Sequence, residues 1–143
     1  MVLSTVAVGT DGSQTASEAV AVAVELARRF DAKLVLLSAF KDSSAVPRQG
    51  AGSATELEWA FSSSARVREI LSRTEDELRR QGIDCTTRAE AGDPADVLVQ
   101  LAEECEADLL VIGNRGMERR VLGSVPNTVT HKAPCSVLVV KTT

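Results

Sequence analysis

The segment VLSTVAVGTDGSQTASEAVAVAVELARRFDAKLVLLSAF, Val2 to Phe40, sets two apolar runs of strand length on either side of a helix-period stretch. Val2 to Val8 (VLSTVAV) runs into Gly9-Thr10-Asp11-Gly12-Ser13, a turn sequence in which Asp11 and Ser13 can each cap a following helix. Ala16, Ala19, Val20, Ala23, Ala27 and Phe30 then recur at spacings of three and four. That spacing predicts an amphipathic helix whose alanines let it lie close against a sheet. Leu34 to Phe40 (LVLLSAF) is a second near-continuous apolar strand, the pattern of strands covered on both faces in a parallel sheet. Strand, crossover helix and strand make a right-handed βαβ unit.

The alternation continues along the chain. Lys41 to Ala54 (KDSSAVPRQGAGSA) has no periodicity and reads as a surface loop. Thr55-Glu56-Leu57-Glu58 has the form of a capping box. From it Leu57, Phe61, Ser64, Val67, Leu71, Thr74 and Leu78 carry one helical face to Gln81, with Gly82 as C-terminal cap. Ile83 to Ala91 is a weaker, partly polar strand suited to a sheet edge. Asp93 as N-cap and Pro94 at the first helical position open a helix with the stripe Leu98, Leu101, Ala102 and Cys105. Asp108 to Gly113 (DLLVIG) is a fourth strand. Val125 to Lys132 is a short helix stopped by Pro134, and Ser136 to Lys141 (SVLVVK) is a fifth strand. The expected fold class is α/β: a three-layer α/β/α, Rossmann-like domain over residues 1–143, with a five-stranded parallel sheet. A chain of 143 residues is long enough for a core without disulfide or metal staples.

Composition narrows the functional classes. The chain is 44% hydrophobic and 25% charged, as globular proteins are, and carries no apolar run near the ~20 residues that span a bilayer. With no basic leader before the first strand, a cytoplasmic protein without a membrane partner is expected. A net charge of −4 argues against broad adhesion to nucleic acid. Cys85, Cys105 and Cys135 are odd in number and lack CxxC spacing, so buried spectator thiols are expected rather than a disulfide or metal set. His131, the only histidine, reads as a helix-end residue with no partner at ligand spacing. No Ser/His/Asp or HExxH set is identifiable, so no catalytic residue is assigned and an enzyme reading has no positive support.

In doubly wound sheets ligands lie outside the carboxyl ends of the strands, where strand order reverses. Two glycine-bearing strand ends compete for that place: Gly9 to Ser13, and Gly113 to Ser124. The second, within VIGNRGMERRVLGSVP (Val111 to Pro126), is neither a P-loop nor a GxGxxG fingerprint. Gly113 and Gly116 permit close backbone approach, and Gly123-Ser124 opens a helix whose free amides suit an anion. The same glycines serve equally as turn formers, and Ser124 as a plain cap. Arg115, Arg119 and Arg120 are either phosphate partners or a solvated loop. Asp11 is either a ribose acceptor or a cap.

VAVGTDGSQTASEAV near the start, Gly-Asp-Pro-Ala-Asp-Val-Leu at Gly92 to Leu98, ADLLVIGNRG at Ala107 to Gly116, and LGSVPNTVTHKAPCSVLVVK at the end together resemble the universal stress protein family (UspA-like domain) over essentially the whole chain. The resemblance implies an adenine nucleotide alpha hydrolase-like sheet of strand order 3-2-1-4-5 and a homodimer paired through Ser136 to Lys141. It also implies an adenine nucleotide as ligand, ATP or cyclic AMP, with Mg2+ as the companion of ATP, and a regulatory role in stress response. On that resemblance Thr10 and Asp11 contact adenine and ribose, and Ala39 presents backbone groups to the base. Gly113, Arg115, Gly116, Gly123, Ser124 and Val125 line the phosphate and ribose path.

The chain departs from the family's nucleotide-binding branch at one point. That branch carries Gly, two residues, Gly, nine residues, Gly, Ser or Thr; here six residues, Met117 to Leu122, separate Gly116 from Gly123. Three residues fewer remove at most about 10 Å of extended chain, and the steps that are left still span up to roughly 25 Å, so both anchors can close on one ligand. The other reading is a dimeric interaction module of the same fold that no longer binds nucleotide.

Overall fold

The computed structural model describes residues 2–41, 64–114 and 124–141. The described elements are β1 (Thr5–Gly9), α1 (Gln14–Phe30), β2 (Lys33–Phe40), α2 (Ser64–Arg80), β3 (Cys85–Ala91), α3 (Pro94–Glu104), β4 (Leu109–Gly113), α4 (Ser124–Lys132) and β5 (Ser136–Val140). Their strands form one parallel sheet of order β3-β2-β1-β4-β5, so the chain winds outward in one direction from β1 and then restarts at β4 on its other side.

Side chains alternate across each strand, and the sheet therefore feeds two cores. Val6, Val8, Leu34, Leu36, Leu109 and Val111 meet the alanine and valine face of α1 together with Val67, Leu71 and Leu78 of α2. Ala7, Val35, Leu37, Leu110 and Ile112 meet Val97, Leu98 and Leu101 of α3 and Val129 of α4. Val6, Ala7 and Val8 are fully buried, which is why β1 reads as an unbroken apolar run rather than an alternating one. Ala19 and Ala23 of α1 are fully buried as well, their missing bulk letting the helix approach the sheet.

Local chemistry sets the helix boundaries. The Ser13 hydroxyl accepts from the Ala16 amide at 3.1 Å, so Ser13 rather than Asp11 caps α1. Asp93 caps α3 and Pro94 occupies its first turn. At the far end of α2, the Ile83 amide donates to Leu78 O and the Gly82 amide to Arg79 O, both at 2.9 Å, a closing turn in which Gly82 takes φ 80°. The same pair of bonds closes α1 through Asp31 and Ala32 and α3 through Glu106 and Ala107, with Asp31 at φ 50° and Glu106 at φ 54°.

Some expectations shift. β1 begins at Thr5, and Val2 lies 79% exposed before it. Phe30, expected on the buried stripe of α1, is 53% exposed: it is the last helical residue, and the left-handed turn at Asp31 takes the chain back to the sheet. The capping box at Thr55, with Leu57 and Phe61, falls outside the described residues, as does Lys41 to Ala54 beyond Lys41. Among the described residues no helix is long and apolar enough to cross a membrane.

Candidate functional site

Because all the strands are parallel, β2, β1 and β4 end at one edge, and the reversal of strand order falls between β1 and β4. A crevice is topologically required there, since the connections leaving β1 and β4 go to helices on opposite faces of the sheet. Both glycine-bearing strand ends singled out in the sequence arrive at this edge side by side. Val8 pairs with Val111 and Gly9 with Leu37; continuing the first ladder by two steps and the second by one puts Thr10 between Gly113 and Ser38. The Thr10 amide donates to Leu37 O at 2.9 Å, so that row is held in register.

The β1–α1 connection is organised by its own side chains. The Thr10 hydroxyl accepts from the Gly12 amide at 3.2 Å, and Asp11 Oδ1 accepts from the Ser13 amide at 2.9 Å. Each short side chain thereby fixes a turn two residues on. Thr10 is buried, whereas Asp11 is exposed, and a carboxylate's two oxygens have acceptor capacity for a sugar hydroxyl beyond one backbone amide. Gly12 takes φ 81° and lies against α2, where a Cβ would fall 2.8 Å from Ile70 Cγ2. Gly9 has a comparable role on the other face: a Cβ there would meet both δ-methyls of Leu98 at 3.1 Å.

Ala39 lies half-buried next to the end of β2, and Gly113 closes β4 beside Val140 of β5. Ser124 and Val125 form the first turn of α4, whose leading amides have no intrahelical partner. Val125 packs on the second core, and Pro126 beneath it is fully buried, seating the helix start against the sheet. Arg115, Gly116 and Gly123, together with Arg119 and Arg120, fall outside the described residues. Of the nine residues expected to hold a ligand, the structure thus brings Thr10, Asp11, Ala39 and Gly113 to one strand edge and places Ser124 and Val125 at a helix start.

Two residues that the sequence reading passed over belong to the same edge. Ser38 is 4% exposed and Asn114 3% exposed; with Thr10 and Thr5 they are the buried polar residues described, and three of these four lie at the carboxyl ends of β2, β1 and β4. A polar residue ending an otherwise apolar strand, as in LVLLSAF and DLLVIGN, is the signal that would have found them.

The thiols lie elsewhere. Cys85 opens β3, Cys105 follows α3 and Cys135 precedes β5, all at the amino edge of the sheet, and none forms a disulfide. Cys85 is buried, while Cys105 and Cys135 are half-buried. Burial pushes each thiol above its ordinary range, reinforced by Glu75 at Cys85 and by Cys105 at Cys135. His131 is exposed in the last turn of α4. Among the described residues no three His, Cys, Asp or Glu side chains gather to hold a metal ion.

Comparison with known proteins agrees with this architecture. The sequence profile of the universal stress protein family matches residues 3–141. Universal stress protein Rv1636 of Mycobacterium tuberculosis is 38% identical over 147 residues, covering 97% of both chains. A universal stress protein solved in complex with cAMP superposes with a TM-score of 0.75 at 34% identity, over 100% of both chains. Universal stress protein UspA from Lactobacillus plantarum superposes with a TM-score of 0.75 at 26% identity, over 98% of this chain and 99% of its own.

Proposed function

Because this chain belongs to the universal stress protein family, we propose that it is a single domain of that family which binds an adenine nucleotide, cyclic AMP or ATP, and acts as a ligand-dependent cytoplasmic regulator of the stress response. One observation carries the reading: the strand ends beside the β1/β4 reversal form a polar edge that gathers Thr10, Asp11, Ala39 and Gly113. The complex of a 34% identical protein with cAMP supports the choice of ligand. In this reading Thr10 and Asp11 meet adenine and ribose, and the Ala39 backbone meets the base. Gly113, Arg115, Gly116, Gly123, Ser124 and Val125 follow the ribose and phosphate. If the ligand is ATP, Mg2+ would be held mainly by its phosphates.

Titration calorimetry with ATP, ADP, AMP and cyclic AMP, with and without Mg2+, tests the proposal. Saturable heat with at least one of them is expected, and a bulky residue at Gly116 or Ser124 should weaken it without unfolding the protein. No heat and no thermal shift with any of the four would sink the reading.

A second reading, a dimeric interaction module without nucleotide, is favoured by one specific feature, the six-residue separation of Gly116 and Gly123. Both readings include a homodimer paired through Ser136 to Lys141. The support is that β5 is an edge strand whose Val137, Leu138, Val139 and Val140 are only half-buried, an edge that a single copy leaves open to pairing. A dimer that purifies free of nucleotide and takes up none would favour the module; a monomeric mass by light scattering would count against the shared dimer.

A further inference from the structure

Asn114 is the most buried polar residue described, at 3% exposure, and it is the last residue before the chain leaves β4 for the glycine loop. A buried carboxamide brings two donors and an acceptor that must be satisfied inside the protein, so an apolar residue would be cheaper there unless the amide has work to do. Its backbone is fixed too: the Asn114 amide donates to Val140 O at 3.0 Å, extending the β4–β5 ladder by one step past Gly113. Continuing the alternation of β4, in which Leu110 and Ile112 face the α3 and α4 layer, the Asn114 side chain falls on the face that α4 covers. Asn114 thus follows Gly113 directly in the chain and lies on the sheet face against which α3 and α4 pack.

Resting on the nucleotide reading above, we infer that Asn114 is a positioning residue for the anion end of the site, fixing the Gly113 backbone relative to the first turn of α4. It acts through those backbone groups and touches neither base nor ribose. The chemical consequence is selective: loss of the amide should weaken ligands that carry a phosphate and spare those that do not.

Two measurements on the full chain test this. The first compares cyclic AMP with adenosine by calorimetry for the wild type and for Asn114→Ala. Cyclic AMP should weaken by about tenfold or more, the scale of one buried hydrogen-bonded group, while adenosine changes by no more than about threefold. Equal losses for both ligands, or no loss, overturn the inference. The second follows amide hydrogen exchange, which needs no ligand: in Asn114→Ala the amides of Gly113 and of Thr128 to Lys132 should exchange faster while those of β2 and β3 keep their rates. A uniform rise through the sheet, or no change, overturns it equally. Should Asn114→Ala fail to fold, Asn114→Asp keeps the shape, adds negative charge at the anion end, and must show the same ligand selectivity. If the wild type itself binds none of the nucleotides, the nucleotide reading fails and the exchange experiment alone decides the role of Asn114.

Discussion

At Gly12 a single missing methylene group joins two parts of the molecule. The residue takes φ 81°, where an L side chain is strained, and its Cα lies so close to α2 that a Cβ would stand 2.8 Å from Ile70 Cγ2. Gly12→Ala is therefore expected to cost about 2 kcal/mol, part backbone strain and part displacement of Ile70. The two parts separate in a cycle: in an Ile70→Ala background the same change should cost only the backbone share, read from urea unfolding. An undiminished cost in that background would mean that Ile70 is not what Gly12 accommodates. The turn it serves also carries Asp11, so the substitution should lower nucleotide affinity together with stability if the nucleotide reading holds.

Among the elements, α1, α2 and α3 end in the same bonding pattern but with different residues at the left-handed position: Asp31, Gly82 and Glu106. Gly82 was expected from sequence because glycine has no Cβ to strain; Asp31 and Glu106 carry that strain and had no local signature. Glu106 is exposed and is the least suited of the three, since a short Asp can bond locally and a Glu cannot. Glu106→Gly is accordingly expected to stabilise the protein by about 0.5–1 kcal/mol, visible as a rise in Tm of a few degrees. Asp31→Gly should give a smaller gain. A fall in Tm for Glu106→Gly would mean that its side chain holds α3 in some other way.

For the whole molecule the sheet separates two chemistries by its edges. The carboxyl edge holds the candidate site, and the amino edge holds the three thiols and Asp108, whose Oδ2 accepts from the Ser4 amide at 2.8 Å and the Thr5 amide at 2.9 Å, tying the start of β4 to β1. Burial raises the folded-state pKa of all three thiols above their ordinary 9.0. A raised pKa for a group neutral when protonated means that its contribution is fully present below the unfolded value and is lost as pH rises through the folded one. Stability measured by urea unfolding should thus be lower at about pH 10 than at about pH 8, and the drop should shrink in a variant with the three cysteines changed to alanine. The chain has no tyrosine to obscure the comparison. An identical drop in that variant would refute the assignment.

The sequence by itself determined the alternation of strands and helices, the parallel sense of the sheet, the caps at Asp93 and Gly82, and the two glycine-bearing strand ends as rivals for the site. These follow from periodicity and turn chemistry, which act over a few residues. Strand order came from family resemblance rather than from pattern, because apolar runs such as VAV and LLVI do not specify their neighbours. Only the tertiary structure decided that Ser13 caps α1 while Asp11 holds the turn, that Phe30 escapes the core, and that the two rival strand ends are one edge. It also brought Ser38 and Asn114 into view as buried polar residues beside that edge. Burial and cross-strand neighbours are set by segments a hundred residues apart meeting in the sheet, and no local window of sequence contains that information.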